Sequence, residues 1–255
     1  MFEDLRGFLS KQTRNFQLVL LKKIGFSFFN MLTRDYVNIY IRLLWTNFVQ
    51  LGLMGSIGGL VNAIIAYPFG SLIDRYSSKK ILLLTIAAQD LVPLTYFYAR
   101  DWMWVAVATE LSTLAMFCSR GVENVVVANS LKNEDRATGF SMVTALSLIP
   151  TVFAPLEAGA ILTRLGGLIA GNIRGLFLLE LTGVVLIGLY VGLRLEEIES
   201  LGKRGQSILQ ELGAVMVGGP YLKRWLLIDT MSASSFAVMV RFVMVYAVEE
   251  KGSTP

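Results

Sequence analysis

The sequence predicts an all-α, polytopic membrane protein: a six-helix transmembrane bundle followed by a seventh transmembrane helix, with the N-terminus in the cytoplasm. Three observations predict it. Apolar residues make up 54% of the 255 and charged residues only 16%, against roughly 45–50% and about 25% in soluble domains. The apolar residues gather in blocks long enough to supply the ~20 residues that a bilayer core demands. Basic residues fall on alternate sides of those blocks, as cytoplasmic loops require.

The blocks give seven spans, at about 18–44, 51–73, 81–99, 102–131, 138–163, 172–195 and 221–248. Residues 1–195 then form the six-helix bundle, 196–220 a cytoplasmic linker, and 221–255 the first helix of an incomplete second bundle. In the linker, Ile208, Leu209, Leu212, Val215 and Met216 recur at helical spacing. An amphipathic helix on the membrane surface and an ordinary linker both fit that pattern.

Orientation follows from the 23 basic residues. With the N-terminus inside, the inner segments hold Arg6, Lys11, Arg14, Lys22, Lys23, Arg75, Lys79, Lys80, Lys132, Arg136, Arg194, Lys203, Arg204, Lys223 and Arg224. Outer loops and helix ends hold Arg42, Arg100, Arg164, Arg174 and Lys251, and Arg34, Arg120 and Arg241 lie within spans. The net charge of +4 thus reads as membrane topology rather than as a nucleic-acid surface. The first span is too long for a signal peptide and contains Arg34 and Asp35, so it is expected to be retained.

Composition also removes whole chemistries. With no histidine, there is no histidine-based triad or haem ligation. With one cysteine, Cys118, there is no intrachain disulfide. No catalytic residue, cofactor or metal is expected. A retinal protein needs a lysine in mid-span seven, where none stands, and a seven-helix receptor would place the N-terminus outside. That receptor and a non-transporting membrane scaffold are the alternatives to the reading that follows.

Small residues in the second span, Gly52, Gly55, Gly58 and Gly59, are expected to let helix backbones approach closely. Pro68, Pro93, Pro150 and Pro155 sit inside spans, where kinks are tolerated. Ionisable groups in spans cost roughly 2.5–3.5 kcal/mol each at a helix centre, so each calls for a reason. Here they are Arg34, Asp35, Asp90, Glu110, Arg120, Glu123, Glu157, Glu180, Asp229 and Arg241. Arg120 and Glu123 stand at i and i+3, where they could pair. Ser27, Asn30, Arg34 and Asn38 form a polar stripe on span one, and Glu110, Thr113, Arg120 and Asn124 form one on span four. Such stripes face a water-filled cavity rather than lipid. Asn30, Arg34, Asn38, Glu110, Arg120 and Arg241 are therefore the candidate cavity residues, and Asp35 and Glu157 the candidates for proton relay.

Between spans two and three stands Gly70-Ser71-Leu72-Ile73-Asp74-Arg75-Tyr76-Ser77-Ser78-Lys79-Lys80. It resembles the G-x-L-x-D-R-x-G-R-K-x loop of the major facilitator superfamily of secondary transporters. Gly70, Leu72, Asp74, Arg75 and Lys79 match, whereas Ser77 replaces the usual glycine and Ser78 a basic residue. The resemblance implies a gating role for Gly70, Asp74, Arg75 and Lys79, with Asp74 facing a helix N-terminus of the second half. Ala154-Pro155-Leu156-Glu157-Ala158-Gly159 is similar to the family's G-P-x-x-G-G antiporter element through Pro155 and Gly159. Residues 128–139 look like the family's second cytoplasmic loop. The family's span-four arginine stands four residues before a glycine, but Gly121 follows Arg120 directly and position 124 is Asn124, so that role is not carried over.

The resemblance implies secondary active transport of a small solute by alternating access, with a proton as coupling ion and export as the favoured direction. The expected partners are the lipid bilayer of the cell membrane, a small-molecule substrate and a missing C-terminal half; substrate identity is not legible.

Overall fold

The computed structural model describes residues 2–44, 76–197, 227–232 and scattered positions at 49–50, 52–53, 56–57, 60–61, 64–65, 69 and 224, with side chains from residue 7 onward. Among these the ordered elements are all helical: α1 (Phe2–Lys11), α2 (Arg14–Leu43), α3 (Ser78–Tyr98), α4 (Trp102–Ser130), α5 (Arg136–Arg164) and α6 (Ala170–Arg194). A short 3₁₀ turn, Asn133–Asp135, joins α4 to α5. Helices α2 to α6 coincide with spans one, three, four, five and six to within a few residues. The described residues of spans two and seven are also helical.

Local chemistry sets the helix ends. Thr13 caps α2 by accepting from the Phe16 amide, and Asp101 caps α4 by accepting from the Trp104 amide at 3.0 Å. Helix α5 stops at Gly166 and Gly167, whose φ values of 96° and 101° lie in the left-handed region open to glycine. Asn172 closes that turn by donating to the carbonyls of Leu165 and Gly167. Helix α1 lies in a stretch the sequence reading leaves without an element. Ten residues is too short to announce itself by pattern, and Phe8 rests edge-on against Phe16 of α2.

Helices α3, α4, α5 and α6 are long and apolar enough to cross a membrane. Helix α2 has 30 residues, roughly 45 Å, but its polar stripe lowers its apolarity. It packs between α5 and α6 and also meets α4, while α3 bridges α4 and α6. Helices α4 and α5 touch only lightly, and a cavity opens beside that seam.

Two apolar clusters hold the bundle. One gathers Phe16, Leu82, Val126, Leu131 and Val191 at the end where α2 begins. The other gathers Tyr40, Tyr96, Ala108, Ala154, Ala158, Leu162 and Phe177 at the opposite end. There Phe177 stacks on Tyr96 at 4.9 Å. Arg174 of α6 donates to the Tyr40 hydroxyl and to the Ala99 carbonyl, both at 2.8 Å, and Tyr40 donates to the same carbonyl at 2.7 Å. These bonds tie the ends of α2, α3 and α6 together.

Close approaches at glycines occur on several of the described helices. In span two, Gly52 meets no neighbour, and Gly55, Gly58 and Gly59 lie outside the described residues. Two of these approaches lie on α6. A Cβ on Gly183 would enter the Phe29 ring, and one on Gly188 would come within 2.7 Å of Ile86. On α2, a Cβ on Gly25 would collide with Ile187. Bulk on one helix seats into a gap on its neighbour, which replaces the hydrophobic drive that lipid removes.

Candidate functional site

A cavity of about 410 Å³ opens in the bundle, within the usual size range of a small-molecule site. Helix α2 lines it with Lys23, Ser27, Asn30 and Arg34, and α4 with Ser112, Arg120, Glu123 and Asn124. Helix α5 contributes Phe140, Thr144 and Ser147, α3 contributes Gln89, and α6 contributes Glu180. Charged, amide and hydroxyl groups alternate with Phe26, Met31, Val92 and Met116.

Two buried carboxyls reach this cavity, and both face α2. Glu123 is clamped between neighbouring lysines. Lys22 Nζ lies 2.5 Å from one carboxylate oxygen and Lys23 Nζ 2.7 Å from the other. Lys22 is 0% exposed. Its ammonium also donates to Gln89 at 2.9 Å and to Ser119 at 2.6 Å, so all three of its protons are engaged. Ser119 in turn donates to Glu123 at 2.7 Å. The ammonium lies 4.7 Å from the centre of the Phe26 ring. Helices α2, α3 and α4 are thereby joined in one satisfied network.

Glu180 is 4% exposed. It receives the Thr33 hydroxyl at 2.6 Å and, more weakly, the Asn30 amide at 3.5 Å. Among the described residues, no lysine or arginine pairs with it. Nearby on α3, Asp90 sits beside Gly188 of α6.

Of the cavity candidates read from sequence, Asn30, Arg34 and Arg120 line the space, together with the stripe residues Ser27 and Asn124. Asn38 and Glu110 do not line it, because they lie on the same stripes but toward the end closed by Tyr40, Tyr96 and Phe177. Arg241 is outside the described residues. Neither proton-relay candidate reaches the cavity: Asp35 is half-buried and Glu157 is exposed on the outer surface of α5. In the span-five motif, Gly159 is buried and Pro155 half-buried, on the face where Ala154 and Ala158 enter the core. Of the gating motif, Lys79 is half-buried in the first turn of α3, while Gly70, Asp74 and Arg75 lie outside the described residues. Ser77, at the family's glycine position, donates to Glu197 at 2.7 Å.

The Arg120–Glu123 pair does not form. Glu123 turns to the lysines, and Arg120 is left with the Met116 sulfur at 3.3 Å. Sequence reading also misses Lys22 and Lys23 as site residues, because a basic pair near a span's start reads as a topology signal. The signal that could have found them is their setting: LVLLKKIGF puts both inside an apolar run.

A helical membrane bundle with a polar, charge-lined cavity defines a class, and comparison with known proteins supplies the family. Residues 24–254 match the model of the Major Facilitator Superfamily, and the chain belongs to that family. Among solved structures, the chain is similar to a bacterial homologue of the human lysosomal transporter Spinster in an inward-facing, unoccupied conformation. The TM-score is 0.72 at 16% identity, covering 94% of this chain and 57% of that one. The same homologue in an inward-facing, occupied conformation gives a TM-score of 0.60 at 17% identity, covering 79% and 48%. The chain thus spans about half the length of these structures. Comparison with curated protein sequences gives no match.

Proposed function

We propose that this bundle is one half of the path of a secondary transporter that moves a small solute across the cell membrane by alternating access. The observation that carries this is the cavity itself: polar and charged groups from five helices converge on a space inside a bilayer-spanning bundle. Such groups are costly in lipid and are retained where a solute or ion passes. Residues 1–195 form this half, 196–220 a cytoplasmic linker and 221–255 the start of the facing half. The excess of basic residues on one side puts the N-terminus in the cytoplasm. The cavity then lies toward the cytoplasmic end of the bundle.

The coupling ion in this reading is the proton, and Glu180 carries it. Its carboxyl faces the cavity, is held by a hydroxyl and an amide, and has no cation paired with it among the described residues. Intramembrane carboxyls that face a cavity mark proton paths in transporters. Export is the proposed direction, supported by the likeness of residues 154–159 to the antiporter element. The test is flux in proteoliposomes with an imposed pH gradient. Accumulation that collapses with the gradient in the native chain, and is insensitive to it in Glu180→Gln, is the expected result. Flux with equal gradient dependence in both proteins would remove Glu180 from the coupling role.

A further inference from the structure

We infer that the transported solute is a small organic anion with an apolar body, held by Lys23 and Arg120 in the cavity, with Arg34 as a second cationic point further along α2. The inference deepens the transport reading and rests on it.

The charge balance carries the argument. Three cations line the cavity, Lys23, Arg34 and Arg120, against two carboxyls, Glu123 and Glu180. Glu123 is already neutralised from behind. Lys22, itself fully buried, engages one of its oxygens and never meets the cavity. One carboxylate between two ammoniums leaves a surplus positive charge, and it falls on the lysine that can reach solute. The Lys23 side chain is 28% exposed and lines the space. Its bond to Glu123 is displaceable, because Lys22 keeps that carboxylate neutralised when Lys23 turns to an anion.

The two arginines point the same way. Among the described residues, Arg120 donates to the Met116 sulfur and no ion pair reaches Arg120 or Arg34. A guanidinium in a bilayer-embedded cavity without a carboxylate partner is poised for an anionic one, which it can grip through two N–H groups at once. Glu180 does not reverse the sign, since its oxygens are engaged by Thr33 and Asn30. Adding Lys22 and Asp90, whose charges act on each other, still leaves the balance positive. Arg34 lies eleven positions beyond Lys23 on α2, roughly 16 Å along the axis, so the cations form a path rather than a point. Between them Phe26, Met31, Val92 and Met116 offer apolar surface to the rest of the solute.

The experiment uses three fluorescent probes of one shape: 2-naphthoate, 2-naphthalenemethanol and 2-naphthalenemethylamine. Binding to the full chain in phosphatidylcholine nanodiscs is read by anisotropy against empty nanodiscs. The naphthoate is expected to bind about tenfold more tightly than either other probe, with Lys23→Gln and Arg120→Gln each weakening it about tenfold. Lys23→Arg should retain it. If Lys23→Gln fails to fold, Arg120→Gln carries the test, since Arg120 makes no ion pair among the described residues. Equal or tighter binding of the amine, absence of naphthoate binding, or naphthoate binding unchanged in Arg120→Gln would overturn the anion assignment. Proteoliposome flux of the same probes separates the two readings. Saturable movement of the amine keeps transport and removes the anion site. Selective naphthoate binding without movement keeps the site and removes transport.

Discussion

Glu123 and Glu180 are both buried carboxyls that reach one cavity and lean on one helix, yet their surroundings are opposite. Glu123 sits between two ammoniums and a hydroxyl. Glu180 sits against a hydroxyl and an amide, with no ion pair among the described residues. The first arrangement fixes a charge, because proton uptake would strand two lysines in a low dielectric. The second has no such counter-charge among the described residues. Burial alone therefore does not assign a role to an intramembrane acid; its partners do.

The largest expected effect tests the fixed pair. Glu123→Gln should lower stability by about 3–5 kcal/mol, because it leaves the buried Lys22 charge uncompensated, and Lys22→Met should cost less, because Lys23 still pairs with Glu123. Thermal unfolding in detergent reads this, and the double replacement should cost less than the sum of the singles. Additive losses would show that the two side chains act independently. A smaller loss belongs to the seam that holds Glu180 against α2. Gly183→Val should cost about 1–3 kcal/mol by pushing into the Phe29 ring, and Phe29→Ala in the same chain should recover part of it. Next comes Thr33→Val, which strips the main donor from Glu180 and should cost about 1 kcal/mol while altering gradient-driven flux. Least of all, Glu180→Gln should move the unfolding temperature by the equivalent of under about 1 kcal/mol, since the amide oxygen still accepts from Thr33. If Glu180→Gln proves as damaging as Glu123→Gln, the contrast drawn between the two acids is broken.

The spans were legible because a bilayer imposes length and apolarity on each helix separately, so α3 through α6 stand out as runs. The polar stripes of α2 and α4 were legible for the same reason, being periodic within one helix. What could not be read was anything decided between helices. Lys22 meets Glu123 across 101 positions and Thr33 meets Glu180 across 147, and no local pattern announces either. Within a helix, Arg120 and Glu123 stood at the right spacing to pair. The choice fell to α2, which brought two lysines closer. The stripes also gave direction without extent. Asn38 and Glu110 share a face with cavity residues, but the aromatic packing of Tyr40, Tyr96 and Phe177 closes the bundle at their level.

That closed rim has a mechanical consequence. Arg174 and Tyr40 converge on the carbonyl of Ala99, just past the end of α3, and fasten three helix ends at one point. Spreading any of those ends means breaking charge-assisted bonds where little water is at hand to replace them. Loaded from outside, such a bundle behaves like tongs riveted at one tip. The rivet keeps its shape, and what play the described helices have falls to the light α4–α5 seam beside the cavity.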